Sequence, residues 1–80
     1  MKLLIIHPLR SEEFDIVWLD VHTINGNFVV HAGHAPMIVL LATHKPLQFK
    51  LKNGKQETIS VSHGIAEISR DSITVVIDDM

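Results

Sequence analysis

Six histidines and no cysteines make imidazole the main candidate ligand or general base in this chain. His31 and His34 flank a glycine at Gly33. With His44 or His63 folded nearby, they could hold a zinc-type metal ion. No third histidine or carboxylate stands at a ligand-like spacing from that pair, so the spacing alone assigns no metal site. The acidic pairs Glu12-Glu13 and Asp78-Asp79 fall in expected loop or terminal positions, where charges are ordinarily solvated. Ser60, Ser62 and His63 are neighbours, but no glycine-flanked nucleophile turn surrounds them. Neither a phosphate-cradling Gly-x-x-x-x-Gly-Lys loop nor a Gly-x-Gly-x-x-Gly after a strand occurs. No catalytic residue, cofactor or metal is therefore assigned.

The bulk properties narrow the class further. Eighty residues are expected to form one domain, near the size where a single core barely suffices. Without cysteines, neither disulfides nor a Cys-based zinc site can staple it. A formal net charge of −2 argues against a nucleic-acid surface. No apolar run is long enough to cross a bilayer as a helix, and the stretch before His7-Pro8 is too short for a signal peptide. A soluble, cytoplasmic protein is expected, meeting membranes only through other proteins.

Short strands must position whatever site exists. Lys2 to His7 is an apolar, β-branched run closed by Pro8, and Leu9 to Glu13 reads as a loop. From Phe14 the pattern is strand-like, with Ile16 and Trp18 on one parity and Val17, Leu19 and Val21 on the other. Trp18 is expected in the core. Thr23 to Gly26 is a turn, Phe28 to His31 a strand, and Gly33 to Pro36 a second reversal. Gly26 and Gly33 can take positive φ there without steric cost. Met37 to Ala42 is the most apolar run, and β-branching favours strand over helix. Leu47 to Lys52 and Gln56 to Val61 flank Asn53-Gly54, a hairpin signal in which both turn residues are expected at positive φ. Ile65 to Ser69 and Ile73 to Ile77 complete roughly eight to ten short strands and no amphipathic helix, so the pattern predicts an all-β, two-sheet sandwich.

Gly26, Phe28, Val30, Gly33, His34, Ala35 and Pro36, followed by Met37 and Ile38, resemble a known signature. It is that of the epsilon subunit of F-type ATP synthases, called delta in mitochondria. Met1 to Pro8 resembles that family's first strand, Val61 to Ile68 its Val-Ser-Gly-Gly-Phe-x-Glu-Val stretch, and Thr74 to Asp78 its last strand. There are departures. Ala32 replaces a proline, His63 replaces the first glycine of the Gly-Gly pair, and Thr43-His44-Lys45-Pro46 stands where a Lys-Pro-Gly turn is usual. The two-helix C-terminal hairpin of many members has no counterpart here, so a short form is expected, without the inhibition and ATP binding attributed to that hairpin.

The resemblance implies a sandwich of about ten short strands in the central stalk, packing on the gamma subunit and the c-ring. It implies a non-catalytic rotor subunit on the cytoplasmic face of the bacterial inner membrane, coupling proton-driven rotation to ATP synthesis. By position, His7, His34 and Val39 would face gamma, with His7 on the same side as the Gly33-His34-Ala35-Pro36 turn. His22, Thr23, Ile24, Asn25, Gly26 and Asn27 would face the c-ring, with Asn27 standing where an acidic residue is usual. Both parities of Met37 to Ala42 are apolar, which in a thin sandwich predicts that one of them forms an exposed patch for gamma. The competing reading is a free-standing β-sandwich protein with a histidine metal site.

Overall fold

A computed structural model describes residues 1–78, which form eight strands and no helix. They are β1 (Lys2–Ile6), β2 (Ser11–Thr23), β3 (Gly26–His31), β4 (Met37–Leu40), β5 (Lys45–Leu51), β6 (Gln56–Val61), β7 (Gly64–Ile68) and β8 (Ser72–Ile77). Asp79, half of one acidic pair, lies outside the described residues.

The architecture is the expected all-β sandwich, with the strand count at the lower end of the range. One long strand accounts for the economy. The first part of β2 pairs antiparallel with β1, and its second part pairs with β3 and β5. The front sheet thus runs β4-β7-β8-β1-β2 and the back sheet β3-β2-β5-β6. The register with β5 slips between Ile16 and Trp18, and the backbone N–H of Ile16 donates to the Met1 carbonyl at 2.9 Å. A bulge at this corner bends the strand from one layer into the other. It also resets the parity. Ile16, Leu19 and Val21 are all buried, whereas Trp18 is only half-buried and shares a face with His31 and Lys50. Trp18 therefore belongs to the outer face of the back sheet, not to the core.

The core fills the space between the layers. Leu3, Ile5, Ile73, Val75, Ala66 and Ile68 come from the front sheet, facing Leu19, Val21, Val30, Leu47, Phe49 and Val61 from the back. Phe14 closes the bend, its ring tilted against Phe49 at 5.0 Å between centroids. An isolated bridge, Thr23 to Leu41, ties the end of β2 to the end of β4. β2 begins at Ser11, so Glu12 and Glu13 sit in a strand and not in the expected loop. Glu12 there accepts a hydrogen bond from His7 Nε2 at 2.8 Å.

The β5–β6 connection also differs from its sequence reading. Gly54 has φ 95°, but Asn53 does not have positive φ. The Gly54 N–H donates to the Leu51 carbonyl at 2.9 Å, and the Leu51 N–H donates to Lys55 at 2.8 Å. That is a type I turn followed by a left-handed glycine, so only Gly54 needs the unusual backbone. Asn53 instead uses its side chain, accepting from the Lys55 N–H at 2.9 Å.

Candidate functional site: an apolar outer face

Directly paired residues share one face of a sheet, so the register reads out the exposed surfaces. On the front sheet, Leu40 pairs with Ile65, Ile65 with Val76, and Val76 with Ile6. These four form one apolar row across four strands on the outward face. Leu40 is 63% exposed, Ile65 45% and Val76 49%. The next row runs Ile38, Glu67, Thr74, Leu4 and Glu13, adding exposed Ile38 and two carboxylates. Beyond it, Lys2 and Asp15 pair at 2.9 Å on a largely exposed surface. Their hydrogen bond holds the Asp15 carboxyl below its ordinary range and the Lys2 ammonium above its own.

The back sheet presents a different surface. Its outward rows are His31, Trp18, Lys50 and Gln56, then Val29, Asp20, Gln48 and Thr58. Asn27 and His22 stand beyond them. That face is polar, and Asn27 Nδ2 donates to Asp20 Oδ1 at 3.3 Å. The apolar outer face belongs to the front sheet.

The β2–β3 turn extends the front patch. His22 and Thr23 are half-buried, and Ile24, Asn25, Gly26 and Asn27 are exposed, with Ile24 at 81%. Thr23 Oγ1 donates to the Gly26 carbonyl at 2.8 Å and accepts from the Asn25 N–H at 3.2 Å. Gly26 takes φ 119°, as its turn position requires. The turn is thus a fixed knuckle whose tip is an isoleucine. Ile24, Leu40, Leu41, Ile65 and Val76 together line one shallow depression.

The Gly33-His34-Ala35-Pro36 turn lies at the other end of the front sheet. Gly33 has φ 85°, and its N–H donates to the Arg70 carbonyl at 2.7 Å. His34 is half-buried and ordered by its own loop, Nδ1 donating to the Ala35 carbonyl at 2.7 Å. Its ring stacks on Phe28 at 5.9 Å.

Two of the residues read from the resemblance as facing gamma differ in placement from what the sequence suggested. His7 is not on the side of His34. It follows the Ile6–Val76–Ile65–Leu40 row, whereas the His34 loop precedes Met37, which pairs with Ile68 at the opposite end. The His7 side chain is also buried, 5% exposed, with Glu12. Val39 pairs with Ala66, which is fully buried, so its side chain shares the inner parity and packs against the core. The outward parity of that strand is Ile38 and Leu40. Sequence reasoning missed Ile65 and Val76, because each sits in a short apolar strand whose inner and outer residues look alike.

The histidines do not gather as a metal centre. Among the described residues, no group of three or more His, Cys, Asp or Glu side chains could hold an ion. His31 and His34 are linked only through backbone, the His34 N–H donating to the His31 carbonyl at 3.2 Å. The histidines that do meet are His44 and His63, with ring centroids 6.0 Å apart. Ser60 and Ser62, at the end of β6, line a depression together with His44.

The chain is thus a two-layer β-sandwich with an apolar row on the outer face of one sheet. The family model described as the ATP synthase, Delta/Epsilon chain, beta-sandwich domain matches residues 1–80, and this chain belongs to that family. It is 38% identical over 68 residues to the ATP synthase epsilon chain of Rhodopseudomonas palustris, covering 85% of this chain and 47% of that one. Against the ATP synthase epsilon chain of Acinetobacter baylyi it is 36% identical over 53 residues, 66% of this chain and 37% of the relative. The chain thus spans less than half the length of these curated relatives. The same fold occurs in the central stalk/c-ring structure of the Tetrahymena thermophila mitochondrial ATP synthase (TM-score 0.82, 15% identity, 99% of this chain, 63% of that chain). It occurs again in the Euglena gracilis mitochondrial ATP synthase, OSCP/F1/c-ring (TM-score 0.83, 20% identity, 94% of this chain, 48% of that chain).

Proposed function

We propose that residues 1–80 act as one β-sandwich domain of a rotor-stalk subunit in an F-type ATP synthase, seated between the gamma subunit and the c-ring. The role is mechanical and not catalytic: the domain transmits torque and helps couple proton-driven rotation to ATP synthesis. It acts on the cytoplasmic face of a bacterial inner membrane and needs neither a cofactor nor bound ATP.

The observation that carries this reading, in a chain of this family, is the outward apolar row Leu40–Ile65–Val76–Ile6. Small soluble domains seldom leave such a contiguous apolar patch bare, and burying it is what gives an interface its driving force. Ile38 and Leu40 are the residues offered to gamma, with His34 at the far end of the same sheet. Glu67 and Glu13 in the next row ask for basic side chains on the partner. The Ile24 knuckle, from His22 to Asn27, is offered to the polar loops of the c-ring. Because Asn27 carries no charge, contact there rests on hydrogen bonds and on Ile24, not on an ion pair.

Binding of the purified chain to a gamma–c-ring subcomplex tests this. Leu40→Asp and Val76→Asp are each expected to weaken binding at least several-fold while the fold survives. Undiminished binding by both variants would overturn the assignment of the surface. For the free-standing metalloprotein alternative, no group of three or more His, Cys, Asp or Glu side chains that could hold an ion occurs among the described residues.

A further inference from the structure

Two histidines far apart in the sequence, His44 and His63, meet in space. The β4–β5 and β6–β7 connections bring the two side chains together, with ring centroids 6.0 Å apart and planes inclined at 49°. His44 is also the sole non-glycine residue with positive φ among the described residues, at 58°. A backbone of that kind is normally left to glycine, and strained side chains of this sort gather where a function holds them. Its N–H donates to the Ser62 carbonyl at 3.2 Å, locking the loop onto the turn that carries His63. Both rings are exposed.

We propose that His44 and His63 form a two-imidazole binding site for a divalent transition-metal ion of the Zn2+ or Ni2+ type. The ring separation leaves room for one ion between the two rings. With a metal–nitrogen bond of about 2 Å, two rings on a common ion have centroids between about 5 Å at a tetrahedral angle and about 6 Å when opposed. The observed 6.0 Å falls at the open end of that span, and modest rotation of two exposed rings closes it. Neutral imidazole favours Zn2+, Ni2+ and Cu2+ over Mg2+ or Ca2+, which take oxygen ligands. Two protein ligands leave the remaining positions to water, so the site captures an ion from solution and is not a structural centre. Bound metal would clamp the β4–β5 loop to the β6–β7 turn, beside the depression that His63 shares with Leu41 and Ile65. This inference does not depend on the rotor reading.

The test uses the intact chain with Zn2+ alone, and Ni2+ as a paramagnetic probe. An ion that binds the folded state raises the melting temperature, so Zn2+ at about 1 mM should raise it. His44→Gly supplies the residue its backbone prefers, and His63→Ala removes the other ring; both should fold. Each is expected to weaken Zn2+ binding by at least about tenfold, the loss that follows even from removing an outer partner of a metal ligand. Ni2+ should broaden the His44 and His63 ring signals first, and the double variant His31→Ala/His34→Ala should bind like the parent. Calorimetry showing no Zn2+ binding at about 1 mM, where linkage would still report it, overturns the proposal. So does binding that survives both His44→Gly and His63→Ala.

Discussion

Substitution of aspartate at adjacent positions of β4 separates its two faces. Val39 is half-buried, pairs with fully buried Ala66 and packs against the core. A carboxylate there must either be desolvated or push the strand off β7. Placing an unpaired charge in such a position costs about 2–4 kcal/mol, somewhat less than at a fully buried site. A domain of this length has a total stability of only about 4–12 kcal/mol. The loss should therefore appear as a fall in melting temperature of roughly 10–30 °C, at about 4–8 °C per kcal/mol. Leu40 is 63% exposed on the outer face, so Leu40→Asp should change stability by about 1 kcal/mol or less. Its effect should fall on association instead, where losing a central apolar contact costs about 1–2 kcal/mol or more, at least several-fold in affinity. Thermal melts by circular dichroism, followed by a gamma-binding assay, read both outcomes. Equal melting temperatures for Val39→Asp and Leu40→Asp would refute the face assignment, because the register leaves no other way for these neighbours to behave alike.

Three further outcomes follow from local geometry. Gly54→Val should cost about 1–2 kcal/mol purely through its positive φ, since a Cβ there meets nothing within 4 Å; an unchanged melt would mean the turn relaxes freely. Gly64→Ala should cost about 1–3 kcal/mol for the opposite reason. Its backbone is ordinary, but a Cβ would stand 2.9 Å from the Val76 carbonyl oxygen and 3.0 Å from Leu41 Cδ1. Asp15 contributes stability above the ordinary carboxylate range, and this is lost as pH falls through its depressed folded-state value, because protonation removes the acceptor for Lys2. Lys2 behaves in the mirror sense, its contribution disappearing as pH rises through its elevated value. Both groups are exposed, so the effect is small, and Lys2→Met should flatten the acid limb of a stability–pH curve. An unaltered acid limb in Lys2→Met would assign that dependence to other carboxylates.

Much of the fold was legible because its signals are local. Glycines at 26, 33 and 54 mark left-handed turns, and all three take positive φ. The double apolar parity of Met37 to Ala42 pointed to a strand with a second face to cover; the strand itself ends at Leu40, and Ile38 and Leu40 are exposed. Long-range features were not legible. Trp18 follows a bulge that inserts one residue and flips the parity of everything after it, and period-two counting cannot see an insertion. Ser11 to Glu13 are polar because β2 begins at the sheet margin, with Glu12 bound to His7, so they resembled a loop. That Val39 takes the inner parity of β4 and Leu40 the outer was equally illegible, because one step along a strand exchanges core for solvent. The meeting of His44 with His63, nineteen residues apart, depends on two loops converging and leaves no trace in spacing.

The rotor-stalk reading is tested most directly by cross-linking in an assembled ATP synthase. The chain has no cysteine, so a single one introduced at Leu40 can carry a photoactivatable maleimide at a unique position. A second variant with cysteine at Thr58, on the polar back sheet, serves as the reference surface. A product joining this chain to gamma is expected from position 40 and none from position 58. Gamma captured from position 58 but not from position 40 would contradict the rotor-stalk reading, placing the docking surface on the back sheet and leaving the apolar row without its partner.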